Sequence, residues 1–405
     1  MPTILHVNVA KNSGSTGRIA DQLSLFAQSK GWESYVAHGS RYNLDGGAKG
    51  IIVSRPFAEY LHFFISLLTD GQGFGSIKGT KDLVRWIEEK KPDIIHLHNI
   101  HGYYINYPIL FRYLSANHIP VIWTLHDCWP FTGHCTYFDI IGCEKWETGC
   151  SNCPQVSSYP RSLIDRSKRN YKKKQQLFTS VSNMIIVPVS EWLHGLVSKS
   201  FLSKYPIRTI HNGIDLNIFY PSESGFRKRN ALEGKFVILG VADGYGKRKG
   251  LSDFNTLSAR FGSEVKIVLV GLSESDRKSV SSNILGIGHT TNRQELVDIY
   301  STADVYVNPT REDNFPTTNI EALACGTPVI TYRTGGSSEA IDDLSGIVVE
   351  KGDVEGLVRA IETVKRKGKS YYSKACRKRA ESNFNKEDRS EDYVRLYEEI
   401  ISQGI

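Results

Sequence analysis

Short apolar runs alternate with amphipathic stretches along almost the whole chain. In the first half the runs are TILHVNV, SYVAHG, IIVS, DIIHLH, VIWTLH and MIIVPVS; in the second they are RTIHN, KFVILGVA, VKIVLVG, ILGIG, VYVNPT, PVITY and SGIVVE. Each is followed by a turn or by apolar residues at helical spacing, the pattern of parallel sheets wrapped by helices. It predicts an α/β protein of two Rossmann-like, doubly wound domains, and 405 residues is more than one hydrophobic core usually serves. The Gly, Pro, Ser and charged residues of Asn212–Arg229 look like the hinge. The expected boundaries are an N-terminal domain over 1–205, a C-terminal domain over 206–385, and a terminal helix over 386–405 that packs back on the body. Tyr393, Leu396, Tyr397 and Ile400 stand at helical spacing in that last stretch and are expected to be core. Open parallel sheets bind ligands beyond the carboxyl ends of their strands, so two facing sheets imply an interdomain cleft.

Composition adds few constraints. Hydrophobic residues make up 40% and charged residues 23%, as in folded globular proteins. The start MPTILHVNVAKNSG lacks a basic n-region, and the longest apolar stretch, Tyr60–Leu68, is about half of a membrane span, so a cytoplasmic protein is expected. The formal charge of +7 gathers in RSKRNYKKK (Arg166–Lys174) and in VKRKGK with CRKR (Val364–Arg379). Two readings stand for these clusters: solvated helix faces, or contact with lipid phosphates on the cytoplasmic face of a membrane. They lack the interleaved aromatics of single-strand binders, so no nucleic-acid partner is expected. No G-x-x-x-x-G-K-[ST] occurs, which sets aside a P-loop nucleotidase, and no D-x-D occurs to suggest a manganese site.

The most informative segment is ADVYVNPTREDNFPTTNIEALACGTPVITYR, Ala303–Arg333, which reads as strand, loop, helix, strand. Pro316 suits the first helical turn, where a missing N–H costs nothing. The N–H groups of Phe315, Thr317 and Thr318 then face outward at the positive end of a helix dipole, a ready phosphate site. Glu321, about a turn inside, can accept hydrogen bonds from two vicinal hydroxyls such as a ribose offers.

Asp313 and Glu321 stand where retaining family 4 glycosyltransferases of GT-B fold carry their E-x7-E pair, and the following EALACGTPV resembles that family's EA-x-A-x-G-x-PV run. Gly335, Gly336 and Glu339 continue the similarity. Aspartate at the first acidic position is shorter than the family's glutamate by one methylene. GVADGYGKRKGL resembles the segment where the family sets an arginine and a lysine on the donor diphosphate. Lys249 matches the lysine; Gly244 occupies the arginine position, so either Arg248 or Lys247 substitutes or that contact is missing. The resemblance implies a catalytic set of His126, Asp313, Lys249 and Arg248. It implies substrate binding by Gly14, Gly17, Asn314, Phe315, Thr317, Thr318 and Glu321. HNGID (His211–Asp215) resembles the family's linker turn.

In the first half, NSGSTGRIA brings Gly14 and Gly17 before a helix, where backbone can approach a phosphate or hydroxyl closely. WTLHDCWP places His126 at a strand end, resembling the family's donor-contacting histidine, with Asp127 to orient it; a core histidine bonded to backbone is the other reading. His96 and His98 alternate on a strand and point the same way. Five of the seven cysteines lie between Cys128 and Cys153. Cys135, Cys143, Cys150 and Cys153 close with a C-x-x-C half-site, and both a structural zinc and plain reduced thiols remain open. The insertion over 128–154 resembles one in the branch that builds colanic acid, capsule and O antigen.

The expected activity is metal-independent sugar transfer, with retention of configuration, from a UDP- or GDP-sugar to an undecaprenyl-diphosphate-linked oligosaccharide. Two rivals remain: a nucleotide-sugar epimerase of the same fold, and a non-catalytic nucleotide-sugar-binding partner.

Overall fold

A computed structural model describes residues 1–40, 46–290 and 292–403. They divide into two compact units, Met1–His211 with Ser390–Ile405, and Asn212–Arg389. The division falls after His211, a little later than the expected 205/206 boundary and at the start of the Asn212–Arg229 stretch read as the hinge from composition.

The first unit is built on β1 (Thr3–Val7), β2 (Glu33–His38), β3 (Lys49–Ile52), β4 (Ile94–Leu97), β5 (Val121–Leu125) and β6 (Met184–Pro188). All pair in parallel in the order β3-β2-β1-β4-β5-β6. Every residue of β1, β4, β5 and β6 is buried, because helices cover both faces. The winding reverses between β1 and β4, which makes the loops after those strands the expected ligand-binding edge.

The second unit repeats the plan with β7 (Phe236–Val241), β8 (Val265–Val270), β9 (Ile284–Ile287), β10 (Val305–Asn308), β11 (Val329–Tyr332) and β12 (Gly346–Val349). Its order is β12-β11-β10-β7-β8-β9, again parallel, with the reversal between β7 and β10. RTIHN corrects the sequence reading. It is not a strand of the second sheet: Arg208 and Ile210 donate to Ile186 and Pro188 beside β6, within the first unit.

The chain's last helix, Lys386–Gln403, returns to the first unit. Tyr393, Leu396, Tyr397 and Ile400 pack with Ile4, Ile94 and Ile122 in one core cluster. Such burial contributes about 1.5–3 kcal/mol per large side chain. The tyrosines keep their polar ends satisfied, Tyr397 on His96 at 2.8 Å and Tyr393 on Thr124 at 3.0 Å.

After α1 (Gly14–Ser29), helix α2 (Pro56–Thr69) is turned inside out. Its buried residues are polar: Glu59 accepts from Ser40 N, and His62 accepts from Gly73 N and Gly75 N. Its apolar residues Phe57, Tyr60, Leu61, Phe64 and Leu68 face outward, Phe57 being 81% exposed. Among the described residues no helix is long and apolar enough to cross a membrane.

Candidate functional site

In the second unit the loops after β7 and β10 lie side by side at the reversal point. The β10 loop ends in the helix Thr317–Ala324, with Pro316 at its N-cap, one position earlier than a first-turn proline. Pro316 has no N–H to lose there, and its fixed φ suits the entry into a helix. A buried network sets the direction of this helix start. Asn319 donates to the Ser337 carbonyl at 2.9 Å and accepts from Asn308 at 2.8 Å, while Thr331 shares a 2.7 Å hydrogen bond with Ser337. Gly336 N donates to the Asn314 carbonyl. Asn314 and Phe315 are buried, and Thr317 and Thr318 are half-exposed at the helix start.

The charged residues converge on the same loop. Lys249 Nζ lies 2.5 Å from Asp313 Oδ2, and Arg248 donates to the Glu312 carbonyl at 3.1 Å. Gly250 makes this approach possible: at φ +69°, a Cβ there would stand 2.5 Å from the Pro309 carbonyl oxygen. Gly244 is also left-handed, at φ +81°, but has open space around it. Glycine supplies no cation at this position, and the neighbouring loop residue Arg248 is engaged with the β10 loop. Glu321 accepts from Tyr300 at 2.9 Å, which fixes its carboxylate. Burial, with the Glu321 charge beside it, holds the Tyr300 hydroxyl protonated far above its ordinary range, so it remains a donor.

Sequence reasoning missed several of these supports. Asp253, buried, takes Arg311 at 2.7 Å and Tyr332 at 3.0 Å and ties the β10 loop to the helix Leu251–Arg260. An asparagine such as Asn319 inside a short helix is a poor helix former and was the available signal that a buried polar network lay there.

In the first unit Gly14, at φ +63°, opens α1, and Gly17 packs so closely on Ala10 that a Cβ would lie 3.1 Å from its Cβ. His126 follows the end of β5. Its Nε2 lies 3.3 Å from His98 Nδ1, and His98 Nε2 lies 3.3 Å from His6 Nδ1. His96 stacks on His98 with ring centres 4.1 Å apart. His6, His96 and His98 bring ring nitrogens within 4.8 Å of one another. Both nitrogens of His96 are already bonded, to Tyr397 and Thr124, so the array reads as a hydrogen-bonded ladder. Burial pushes His126 down to about 4 and His6 to about 3, leaving neutral imidazoles at pH 7.

The expected orienting role of Asp127 needs correction. It bonds His101 at 2.6 Å and the Trp129 N–H at 2.9 Å and acts on His126 through its charge, while His98 is a hydrogen-bond neighbour of His126. Burial opposes ionisation of Asp127, but His101 and these bonds outweigh it and hold the carboxyl below its usual range. Cys135, Cys143, Cys150 and Cys153 all carry free thiols.

Two family models match the chain, Glycosyltransferase Family 4 over residues 17–218 and Glycosyl transferases group 1 over residues 223–383. The chain belongs to these glycosyltransferases, and with its two parallel-sheet units it is an enzyme of the GT-B class. It is 30% identical over 281 residues to WcaC of Escherichia coli K12, a protein named for glycosyl transfer in colanic acid biosynthesis. That match covers 66% of this chain and 66% of WcaC; several other curated relatives are matched over about half their length. Among solved structures, sucrose-phosphate synthase from Thermosynechococcus elongatus aligns over 100% of both chains with TM-score 0.73 and 17% identity. Anabaena HepE in complex with UDP-glucose aligns over 98% of this chain and 99% of its own, with TM-score 0.68 and 14% identity. Neither the epimerase nor the non-catalytic reading is favoured by these relatives.

Proposed function

We propose that the chain transfers a sugar from a nucleotide sugar to a lipid-linked oligosaccharide, with retention of anomeric configuration, during assembly of a bacterial surface polysaccharide. The observation that carries the reading is the Lys249–Asp313 pair at the start of the helix Thr317–Ala324, with Glu321 fixed by Tyr300 one turn in. A diphosphate at that helix start meets N–H dipoles and the Lys249 and Arg248 cations. Glu321 takes the ribose hydroxyls and Asp313 the donor sugar. His126, neutral, serves as a hydrogen-bond partner for a sugar hydroxyl, and the Gly14–Gly17 turn offers backbone to phosphate or acceptor.

In this scheme the bond from the sugar C1 to the β-phosphate oxygen breaks, and the acceptor oxygen bonds C1 from the same face. The acceptor proton passes to the departing phosphate oxygen. Lys249, Arg248 and the helix start neutralise the leaving diphosphate, so the scheme calls on no catalytic metal.

A lipid-linked acceptor fits α2. A helix that buries its polar side and turns Phe57, Leu61, Phe64 and Leu68 outward is suited to an apolar medium. Leu163 N bonds the Leu67 carbonyl, and the exposed Leu163 and Ile164 lead directly into exposed Arg166, Lys168, Arg169 and Lys172. Apolar residues beside a cationic run match an anionic bilayer surface. Membrane contact at the cytoplasmic leaflet, where the protein is placed by this reading, supplies the acceptor.

The test is product stereochemistry. Transfer from an α-linked UDP- or GDP-sugar to a polyprenyl-diphosphate saccharide is expected to give an α-linkage by NMR coupling constants. A β-linked product rejects the same-face mechanism, and release of free epimerised sugar rejects transfer.

A further inference from the structure

The segment after β5 holds buried Cys135, Phe138 and Trp146, with regular structure confined, among the described residues, to the 3-10 turn Trp129–Phe131 and the helical turn Lys145–Thr148. Cys135, Cys143, Cys150 and Cys153 line one small cavity of about 20 Å³, walled by Phe138 and Trp146, whose rings stack at 5.2 Å. Cys135 and Cys153 are hydrogen-bonded to each other. Two of the sulfurs accept backbone N–H groups: Cys150 from Gly133 at 3.2 Å, and Cys153 from Gln155. Gly133 must be glycine for the first contact, since a Cβ would stand 2.7 Å from the Cys150 Cβ and 2.3 Å from the Ser167 carbonyl oxygen.

Cations surround this group. Lys174 is buried, its ammonium donating to the carbonyl oxygens of Trp129 at 2.6 Å and Thr132 at 3.1 Å, lying over the Trp129 ring at 3.4 Å, and within electrostatic range of Cys150 and Cys135. Lys145 folds over the Ser151 and Asn152 carbonyls on the same wall. Four sulfurs lining one small cavity, two of them accepting backbone N–H groups as metal-bound thiolates commonly do, form the donor set of a tetrahedral zinc site.

We propose that Cys135, Cys143, Cys150 and Cys153 bind one zinc ion as a closed tetrathiolate site that fastens this segment to the first unit. Four thiols lose their protons to solvent and coordinate Zn²⁺, giving a centre of net charge −2 that Lys174 and Lys145 offset. No three of these sulfurs lie mutually within 4.8 Å among the described residues, so coordination at about 2.3 Å per ligand draws them inward. Four thiolates leave no open position, and the role is structural.

The full chain, purified without added metal, is expected to carry about one zinc by mass spectrometry. Cobalt exchanged into it should give the intense visible bands and thiolate charge-transfer of a tetrahedral sulfur site. Cys143→Ser and Cys150→Ser should each lose bound zinc, whereas Cys376→Ser should keep it. If the first two variants do not fold, the cobalt spectrum of the unaltered chain decides. A metal-free chain, a cobalt spectrum without thiolate bands, or full zinc retention in Cys143→Ser overturns the assignment. So does a count of five rather than seven free thiols in unreduced, denatured, chelated protein, which would mean a disulfide.

Discussion

Lys249 and Asp313, on loops that follow two different strands, meet at 2.5 Å where the winding of the second sheet reverses. Both are largely buried, so truncating either leaves its partner charge poorly solvated. Lys249→Met is expected to lower kcat about 100-fold or more, the usual loss of a charge that stabilises a departing anion. Asp313→Asn should do likewise. In the double variant, thermal stability should partly recover while activity should not, which separates structural pairing from chemistry. Near-normal turnover in Lys249→Met would remove it from the donor site.

Glu321 should separate from these by its kinetic signature. Its carboxylate, held by Tyr300, is assigned to the ribose, which changes little between ground and transition states. Glu321→Gln is therefore expected to raise the donor KM with a smaller effect on kcat, and Tyr300→Phe should follow it weakly. A kcat loss equal to that of Lys249→Met, at unchanged KM, would place Glu321 at the reacting centre.

Acid should destabilise the first unit. Burial depresses His6 to about 3, His62 and His126 to about 4, and holds His96 and His98 well below their ordinary value. Each binds a proton more readily when unfolded, with an ordinary value of 6.5. Stability is thus fully present above pH 6.5 and is lost as pH falls from 6.5 toward the folded values. Each histidine contributes up to about 1.4 kcal/mol per pH unit in that window, less where neighbours are coupled. Melting temperature measured from pH 8 to pH 5 should be flat above 6.5 and fall below it; equal values at pH 7 and pH 5 contradict the burial argument.

The outward face of α2 gives a binding experiment. Phe57, Leu61 and Phe64 are each more than half exposed, so replacing all three with Ser should alter the melting temperature little. The same triple variant should sediment at least 10-fold less with vesicles containing anionic lipid. High salt should weaken the unaltered chain through the Arg166–Lys172 cations. Undiminished association would assign the apolar face to something other than a bilayer.

Much of this architecture was legible in the chain because strands covered on both faces read as continuous apolar runs, as β1, β4, β5 and β6 do. RTIHN misled for another reason. With Ile210 its single apolar residue, it reads as a short extended segment, and such a pattern does not say which sheet a segment joins. The helix start at Thr317 was legible because proline and paired acids mark it locally. Its supports were not, since Tyr300, Asn319 and Ser337 are ordinary residues whose meeting depends on long-range packing. The same holds for His126: its position at a strand end could be read, but its neighbour His98, on another strand, could not. Asp127, adjacent in sequence, turned to His101 instead.

Two glycines of the second unit make opposite forecasts from the same backbone conformation. Gly335 stands at φ +52°, and a Cβ there would lie 1.7 Å from the Asp313 carbonyl oxygen, a backbone atom that cannot swing away. Gly335→Ala must displace the Asp313 loop or the turn that carries Gly336, whose N–H holds Asn314. The expected result is a lowered melting temperature and a loss of activity comparable to that of Asp313→Asn. Gly244, at φ +81°, meets nothing within 4 Å, so an added side chain bears only the left-handed strain, about 1 kcal/mol. Gly244→Arg should fold with a small loss of stability and set a new cation on the loop after β7. If that loop faces the donor diphosphate, the variant should bind the nucleotide diphosphate more tightly in calorimetry, with a steeper salt dependence than the unaltered chain. Unchanged affinity with a normal melting temperature would mean that residue 244 lies out of reach of the phosphates and that Arg248 alone accompanies Lys249.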